Sequence, residues 1–237
     1  MDGAQQIDLR EKGRAADGST IYSERRLYLQ FLAFGNCPRP EGPIAALAGF
    51  GHPSVLYADL ADPRGIGLVF MSEDPAFFAR ELREFLAGPA FAELSLKPEL
   101  SMFGRTYAIG YERDLEETLF TRPRSRILDP ELAWATWYPV RRSKAFAGLP
   151  EAERHDILMD HGEIGKRFGK AGLAHDIRLD CHGLDRNDND FVIGIVSKEL
   201  VAISAVVEAM RGSLQTMRHL DNLGPFFTGM VLARRGL

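Results

Sequence analysis

The sequence predicts an α+β fold in which a β-α-β-β-α-β order occurs twice. Three observations predict it. Apolar runs of strand length alternate with amphipathic stretches of helix length in the same order in both halves. The stretches Met71–Gly88 and Val196–Gly212 share a polar capping residue, an apolar stripe at helical spacing and a glycine stop. Between the halves lies a charged segment, 112–131, with two prolines, which reads as a linker.

The elements follow in order. Residues 1–24 are polar and read as an N-terminal extension, with the first half at 25–111 and the second at 132–237. Arg26–Phe34 reads as a buried strand, and Pro43–Ala48 as the start of a short helix. Ser54–Leu60 and Ile66–Met71 read as strands joined by a turn through Asp62, Pro63, Arg64 and Gly65. In the next helix Asp74 caps, Pro75 opens, and Phe77, Phe78, Leu82, Phe85 and Leu86 form the stripe. Ser101–Tyr111 closes the half as a strand. In the second half Leu132–Val140 is a strand, Pro150–Phe168 a helix, and Leu173–His182 and Phe191–Val196 strands about the turn from Gly183 to Asp188. Ser197 caps a helix running to Arg211, and Pro225–Ala233 is the last strand. Each half is thus expected to be a ferredoxin-like unit, its sheet covered by helices on one face and by the other copy on the second. That arrangement leaves space for a ligand between sheet and helices.

Composition sets limits on partners. With 237 residues, 45% apolar and 26% charged, the chain can bury a substantial core. The formal net charge of -4 gives no general affinity for nucleic acid or anionic lipid. Two cysteines, Cys37 and Cys181, form no zinc pattern and read as reduced thiols. The start at Met1, Asp2, Gly3 and Ala4 shows no apolar signal segment, and no apolar run approaches the roughly 20 residues that span a bilayer. A cytoplasmic protein is expected.

Several residues carry candidate chemistry. Ile157, His161, Ile164 and Phe168 fall on one helical stripe, so His161 is either a satisfied core histidine or an axial metal ligand. Gly162 and Gly165 beside it permit close packing of the helix, or the approach of a flat macrocycle. On the preceding strand Trp134, Thr136 and Tyr138 share a face, with Ala135 and Trp137 on the other. Pro139 puts Tyr138 at a sheet edge or strand end, as a packed phenol or a redox-active one. Leu173, His175, Ile177, Leu179 and Cys181 share one face of a later strand; Ala174, Asp176, Arg178 and Asp180 share the polar one. Arg122, Arg124, Arg126, Arg141 and Arg142 crowd one stretch, as a solvated loop or a carboxylate site.

Tyr138-Pro139 with Arg141-Arg142, His161-Gly162-Glu163-Ile164-Gly165, Gly183-Leu184-Asp185, Glu208-Ala209-Met210-Arg211 and Gly224-Pro225-Phe226-Phe227-Thr228-Gly229 together resemble the chlorite dismutase-like haem family, most closely its coproheme decarboxylases. The motifs span about 124–233. The resemblance implies a dimeric α+β barrel, assembled as a homopentamer, that binds haem b or iron coproporphyrin III in its C-terminal half. By the same resemblance His161 matches the proximal iron ligand, and Tyr138 the tyrosine that passes an oxidising equivalent from peroxide-treated iron to a propionate. Arg142 falls where the decarboxylases carry lysine, and Arg211 and Thr216 match propionate-binding positions. Arg124 and Arg141 join them as expected carboxylate binders. Counting back from Gly183 puts Asp176 at the distal position, with Arg178 on the same face. A carboxylate there disfavours chlorite chemistry, which calls for a positive donor. The expected activity is peroxide-dependent decarboxylation of coproheme. The alternatives are another haem reaction, peroxidatic or on chlorite or nitrogen oxyanions, and a non-catalytic haem-binding protein.

Overall fold

A computed structural model describes residues 7–236. The first six residues of the expected extension, Met1 to Ala4 among them, lie outside the described residues.

Among those described, the extension contains a hairpin, β1 (Glu11–Arg14) with β2 (Thr20–Ser23). It is pinned rather than loose: Glu11 is buried and accepts from Arg26 Nε at 2.7 Å, Arg105 at 2.9 Å and the Ala108 amide at 2.9 Å. The first half continues with β3 (Tyr28–Gly35), α1 (Glu41–Gly49), β4 (Ser54–Asp59), β5 (Ile66–Ser72), α2 (Ala76–Ala79), α3 (Glu81–Leu86), β6 (Ser95–Leu96) and β7 (Met102–Arg105). The single helix expected after Asp74 is two, broken at Arg80, whose φ of -115° and ψ of -85° leave the helical region. The strand expected to reach Tyr111 stops at Arg105. The chain turns there because the Glu112 carboxylate collects the amides of Ile109, Gly110 and Tyr111.

The expected linker carries α4 (Arg122–Leu128), and Leu115, Leu119, Phe120, Ile127 and Leu128 insert into the main core. It plugs the core because its apolar residues outweigh its charged, proline-containing surface. The second half runs β8 (Trp134–Arg142), α5 (Lys144–Ala147), α6 (Glu151–Lys170), β9 (His175–Asp180), β10 (Phe191–Ser197), α7 (Leu200–Arg211), α8 (Leu214–Arg218), β11 (Leu220–Leu223) and β12 (Phe227–Arg235). Ser197 does not cap α7. Its hydroxyl donates to the Leu173 carbonyl at 2.6 Å, and Glu199 is the cap residue.

In the first half the strands lie in the order β7-β3-β5-β4, and in the second β12-β8-β10-β9. β4 pairs antiparallel with β12 and β7 with β9, so these eight strands close on themselves as one large antiparallel sheet. The second seam is short, Arg105 opposite Asp180, and an ion pair of 2.8 Å between these two side chains supports it. Inside the closed sheet Phe31 stacks on Trp137 with ring centroids 5.9 Å apart and meets Phe227 at 4.7 Å. Gly194 makes room for the indole: a Cβ there would lie 2.5 Å from Trp137 Cζ3. The outer sheet face of the second half carries a smaller core, with Tyr138, Val140, Ile195, Ile203 and Val206 buried beneath the helices.

Candidate functional site

The site is built on the outer face of β8, β10 and β9. Strand register sets Tyr138 beside Ile193 and Ile193 beside Arg178; one step along, Thr136, Ile195 and Asp176 align. Alternation therefore brings Tyr138, Arg142, Asp176 and Arg178 to one side, while Ala135, Trp137, Ile177 and Leu179 fill the interior. Tyr138 is not at an edge or strand end, as Pro139 suggested. β8 runs through it to Arg142, with β10 on one flank and β12, then β11, on the other. β12 pairs as far as Trp137 and β11 begins at Val140, so Pro139 stands in the gap where no ladder amide is needed; its carbonyl accepts from the Gly224 amide at 3.0 Å.

Over this face lies α6. It is helical because its run from Glu151 has acidic residues in the first turn, Arg167 and Lys170 in the last, and no proline inside. Of the stripe Ile157, His161, Ile164 and Phe168, only Ile157 is buried. Opposite it Phe191, Ile193, Leu220, Leu223 and Phe226 are also only partly buried. The two layers thus face each other with incompletely covered apolar side chains. The flanking glycines differ. A Cβ on Gly165 would meet Met210 Cε at 3.2 Å, a helix-packing contact, whereas one on Gly162 would meet nothing within 4 Å.

His161 Nδ1 lies 2.8 Å from the hydroxyl of Ser213, the residue that caps α8. Among the described residues Nε2 has no hydrogen-bond partner, and it is not fully buried, so it opens on accessible space. Burial lowers the His161 pKa, and the positive charges of Arg142 and Arg178 lower it further. The imidazole is held neutral with a free lone pair, the form that ligates a metal. Among the described residues no cluster of three or more His, Cys, Asp or Glu side chains could hold a metal ion by itself.

Arg142 is the least satisfied charge here. Its backbone amide donates to Asp190 Oδ2 at 2.7 Å, but among the described residues its guanidinium has no carboxylate partner and its buried Nε no acceptor. Burial lowers its pKa. The rings of Phe191 and Phe146, with centroids 4.4 and 5.0 Å from Cζ, support it, and Tyr107 and Asp190 oppose the fall of its pKa. Arg178 pairs with Asp176 at 3.0 Å on the exposed part of the face, and Asp176, Tyr107 and Glu112 raise its pKa. Tyr138 stacks on Phe226 with centroids 4.3 Å apart, and its hydroxyl makes no hydrogen bond. Burial raises its pKa far above the ordinary range, and the negative charge of Asp176 adds to this. At neutral pH it is a phenol. The site so offers a neutral imidazole, an unpaired guanidinium, an Arg–Asp pair and a buried phenol.

Two other expected site residues, Arg141 and Arg124, stand apart. Arg141 is on the opposite face of β8, where it donates to the carbonyls of Asp188 (2.7 Å) and Asn187 and grips the loop before β10. That loop winds about Asp185, whose carboxylate accepts the Asn187 and Asn189 amides, which gives Gly183-Leu184-Asp185 a structural role. Arg124 is exposed on α4, bonds the Gly236 carbonyl at 3.3 Å and exerts its charge on Glu73 in the first half. Arg211 lines a cleft of about 460 Å³ with Leu60, Ile203, Val207, Phe226 and Thr228 and borders the site: its guanidinium lies 6.0 Å from the Phe226 ring that stacks on Tyr138, and its charge opposes the rise of the Tyr138 pKa. Thr216 stays with the site, its Oγ1 3.3 Å from the Ser213 hydroxyl.

Four residues at the site carry little or no signal in the sequence. Tyr107, just past β7, reaches across from the first half; burial raises its pKa while Arg178 and Arg142 oppose the rise, and its ring lies 5.8 Å from that of Phe191. Its only sequence signal is an aromatic residue at a strand end. Gln215 Oε1 and His219 Nδ1 are buried near α8 without partners among the described residues. Ser213 had a local signal, serine after a glycine stop, but nothing in it pointed to His161.

No curated protein matches the chain. Among solved structures, a heme-binding protein from Thermus thermophilus superposes with a TM-score of 0.69 at 19% identity, covering 89% of this chain and 92% of that one. The chlorite dismutase of Candidatus Nitrospira defluvii in complex with imidazole superposes with a TM-score of 0.69 at 16% identity, covering 89% and 93%. At such identity these likenesses show the fold. The family model described as chlorite dismutase matches residues 66–232, well over half of the 237. By that match, the mixed α+β chain with its large antiparallel sheet belongs to the chlorite dismutase family.

Proposed function

We propose that the chain binds an iron porphyrin between α6 and the outer face of β8–β10–β9 and acts as a haem-dependent oxidoreductase. The most specific reading is oxidative decarboxylation of coproheme. The observation that carries it is His161 Nε2, without a hydrogen-bond partner among the described residues, near the unpaired guanidinium of Arg142, whose charge helps to lower the His161 pKa. The two layers of half-covered apolar side chains suit a flat hydrophobic ring, and Arg142 suits an acid substituent on it. The residues present therefore fit the group that the family relationship suggests.

His161 would hold the iron through Nε2. The bound iron would supply the redox capacity, drawn from peroxide, that no side chain here possesses. Arg142 orients a propionate by charge-assisted hydrogen bonds, and its burial among Phe146 and Phe191 keeps water from competing for that pair. Tyr138 retains its proton until oxidised, because its phenolate is disfavoured by burial and by Asp176. Asp176 is also a base on the same sheet face, suited to taking that proton. Arginine in place of lysine at 142 binds carboxylate well but donates no proton, so proton delivery falls to other groups. We read the two halves as copies of one ferredoxin-like unit, and carry the decarboxylase branch and a homopentamer on the motif resemblance.

A second reading is oxyanion chemistry. It is favoured by Arg178, a guanidinium that stands beside Asp176 and supplies the positive donor the carboxylate lacks. A third, haem binding without turnover, is suggested by the Thermus protein's description. Reconstitution with ferric coproporphyrin III and with haemin, followed by peroxide titration and mass analysis, separates them. Stepwise loss of carbon dioxide supports the decarboxylase. A Soret band with unchanged coproheme mass refutes it, and a screen with chlorite, using Asp176→Asn as control, then divides the other two. A protein that shows no Soret shift with either pigment refutes the haem reading.

A further inference from the structure

We propose that Ser213 is the positioning residue that fixes His161 in its Nδ1–H tautomer and thereby presents the bare Nε2 to the site. Ser213 is 3% exposed and sits at the α7–α8 junction, 52 residues from His161 in sequence. Its single hydroxyl proton has two acceptors away from the imidazole, the Met210 carbonyl at 2.8 Å and Thr216 Oγ1 at 3.3 Å. The Met210 carbonyl can only accept; one lone pair takes the Ser213 amide at 3.1 Å, and the hydroxyl lies 2.8 Å from it, which is where we place the proton. With the proton there, Ser213 Oγ meets His161 Nδ1 at 2.8 Å as an acceptor, and Nδ1 donates. A neutral imidazole has one N–H, which leaves Nε2 without a proton. The same oxygen caps α8 through the Thr216 amide at 3.4 Å, so the hydroxyl is held by the helix junction rather than by a loop.

The chemical consequence concerns ligand strength. A carboxylate behind a ligating histidine draws its proton and makes the imidazole more basic; a hydroxyl already spent on a carbonyl does so weakly. His161 should therefore be a plain neutral ligand, and an iron bound to it should be easier to reduce than with a carboxylate at 213. This consequence rests on the haem reading, but the tautomer does not.

The test is a long-range proton–nitrogen NMR spectrum of the haem-free full chain, with His161 assigned by loss of its signals in His161→Gln. The expected pattern is a protonated Nδ1 and a bare Nε2. In Ser213→Ala the two tautomers should mix, and Ser213→Thr should restore the original pattern. A wild-type spectrum with the proton on Nε2 overturns the proposal even if a variant fails to fold, and so does an unchanged pattern in a folded Ser213→Ala. In reconstituted protein, Ser213→Asp should move the ferric/ferrous midpoint to lower potential. A Nδ1–H pattern in a chain that takes up no pigment would sink the haem reading and leave the role of Ser213 intact.

Discussion

Arg142→Met separates what this arginine does for the fold from what it does for a ligand. The methionine keeps the length and apolar stem and removes the guanidinium. In the free protein two effects oppose each other. The buried, unpartnered Nε costs about 1–3 kcal/mol, as an unmade hydrogen bond does. The contacts over Phe191 and Phe146 return about 0.5–2 kcal/mol each. The stability of the pigment-free variant should hence lie within about 1 kcal/mol of the parent, a small effect by the standard of point substitutions. Ligand binding has no such offset. A charge-assisted hydrogen bond to a carboxylate contributes about 1.5–3 kcal/mol, so loss of Arg142 should weaken ferric coproporphyrin binding roughly 10- to 150-fold. The assay is Soret titration of both proteins with the porphyrin acid and with its methyl ester, alongside urea unfolding of the free chains. The parent should prefer the acid, and the variant should lose that preference while binding the ester as before. Equal affinity of parent and variant for the acid, or an equal loss with acid and ester, would refute the assignment of a propionate to Arg142.

Further expectations concern the neighbours. Tyr138→Phe removes a hydroxyl without a hydrogen bond and should change stability by no more than roughly 0.5–1 kcal/mol, since the stack on Phe226 survives; pigment should bind and peroxide-driven decarboxylation should stop, as read by mass. Gly194→Ala drives a methyl to 2.5 Å from Trp137 Cζ3 between paired strands and should cost about 1–3 kcal/mol, seen as a lower urea midpoint with unchanged m. The His161 pKa is lowered in the fold, so between the folded and unfolded values the unfolded chain binds more protons, and stability falls as pH drops below about 6.5. His175 acts in the same direction, because burial and Arg126 lower its pKa. The share of His161 is the difference in pH dependence between parent and His161→Gln, and no difference would contradict the burial argument.

Much of the site's scaffold was legible. Period-two alternation put Tyr138 opposite Trp137 and grouped Asp176 with Arg178, because successive side chains of a strand have no choice of face. Helical spacing put His161 on the stripe of Ile157 and Phe168 for a similar reason. The misreadings have physical causes too. Pro139 suggested a strand end, yet a central strand tolerates proline where its neighbour changes from β12 to β11. Arg124, Arg141 and Arg142 are close in sequence, but α4 carries the first away and alternation sends the second to the other face. The segment 112–131 read as a linker because its charges and prolines are conspicuous, while Leu119 and Ile127, which fix it in the core, are scattered among them.

Local pattern carried most strands and the long helices, their order and which side chains share a face, since periodicity and turn chemistry act over a few residues; the break at Arg80, the end of β7 at Arg105 and α4 in the connecting segment escaped it. It takes the folded chain to show that Ser213 stands behind His161, that Tyr107 crosses from the other half toward Arg142 and Arg178, and that Arg211 reaches the Phe226 ring beside Tyr138 from a neighbouring cleft. Those meetings depend on how closed strands and packed helices fold back on one another, and a one-dimensional pattern carries no record of which distant residues the same volume will hold.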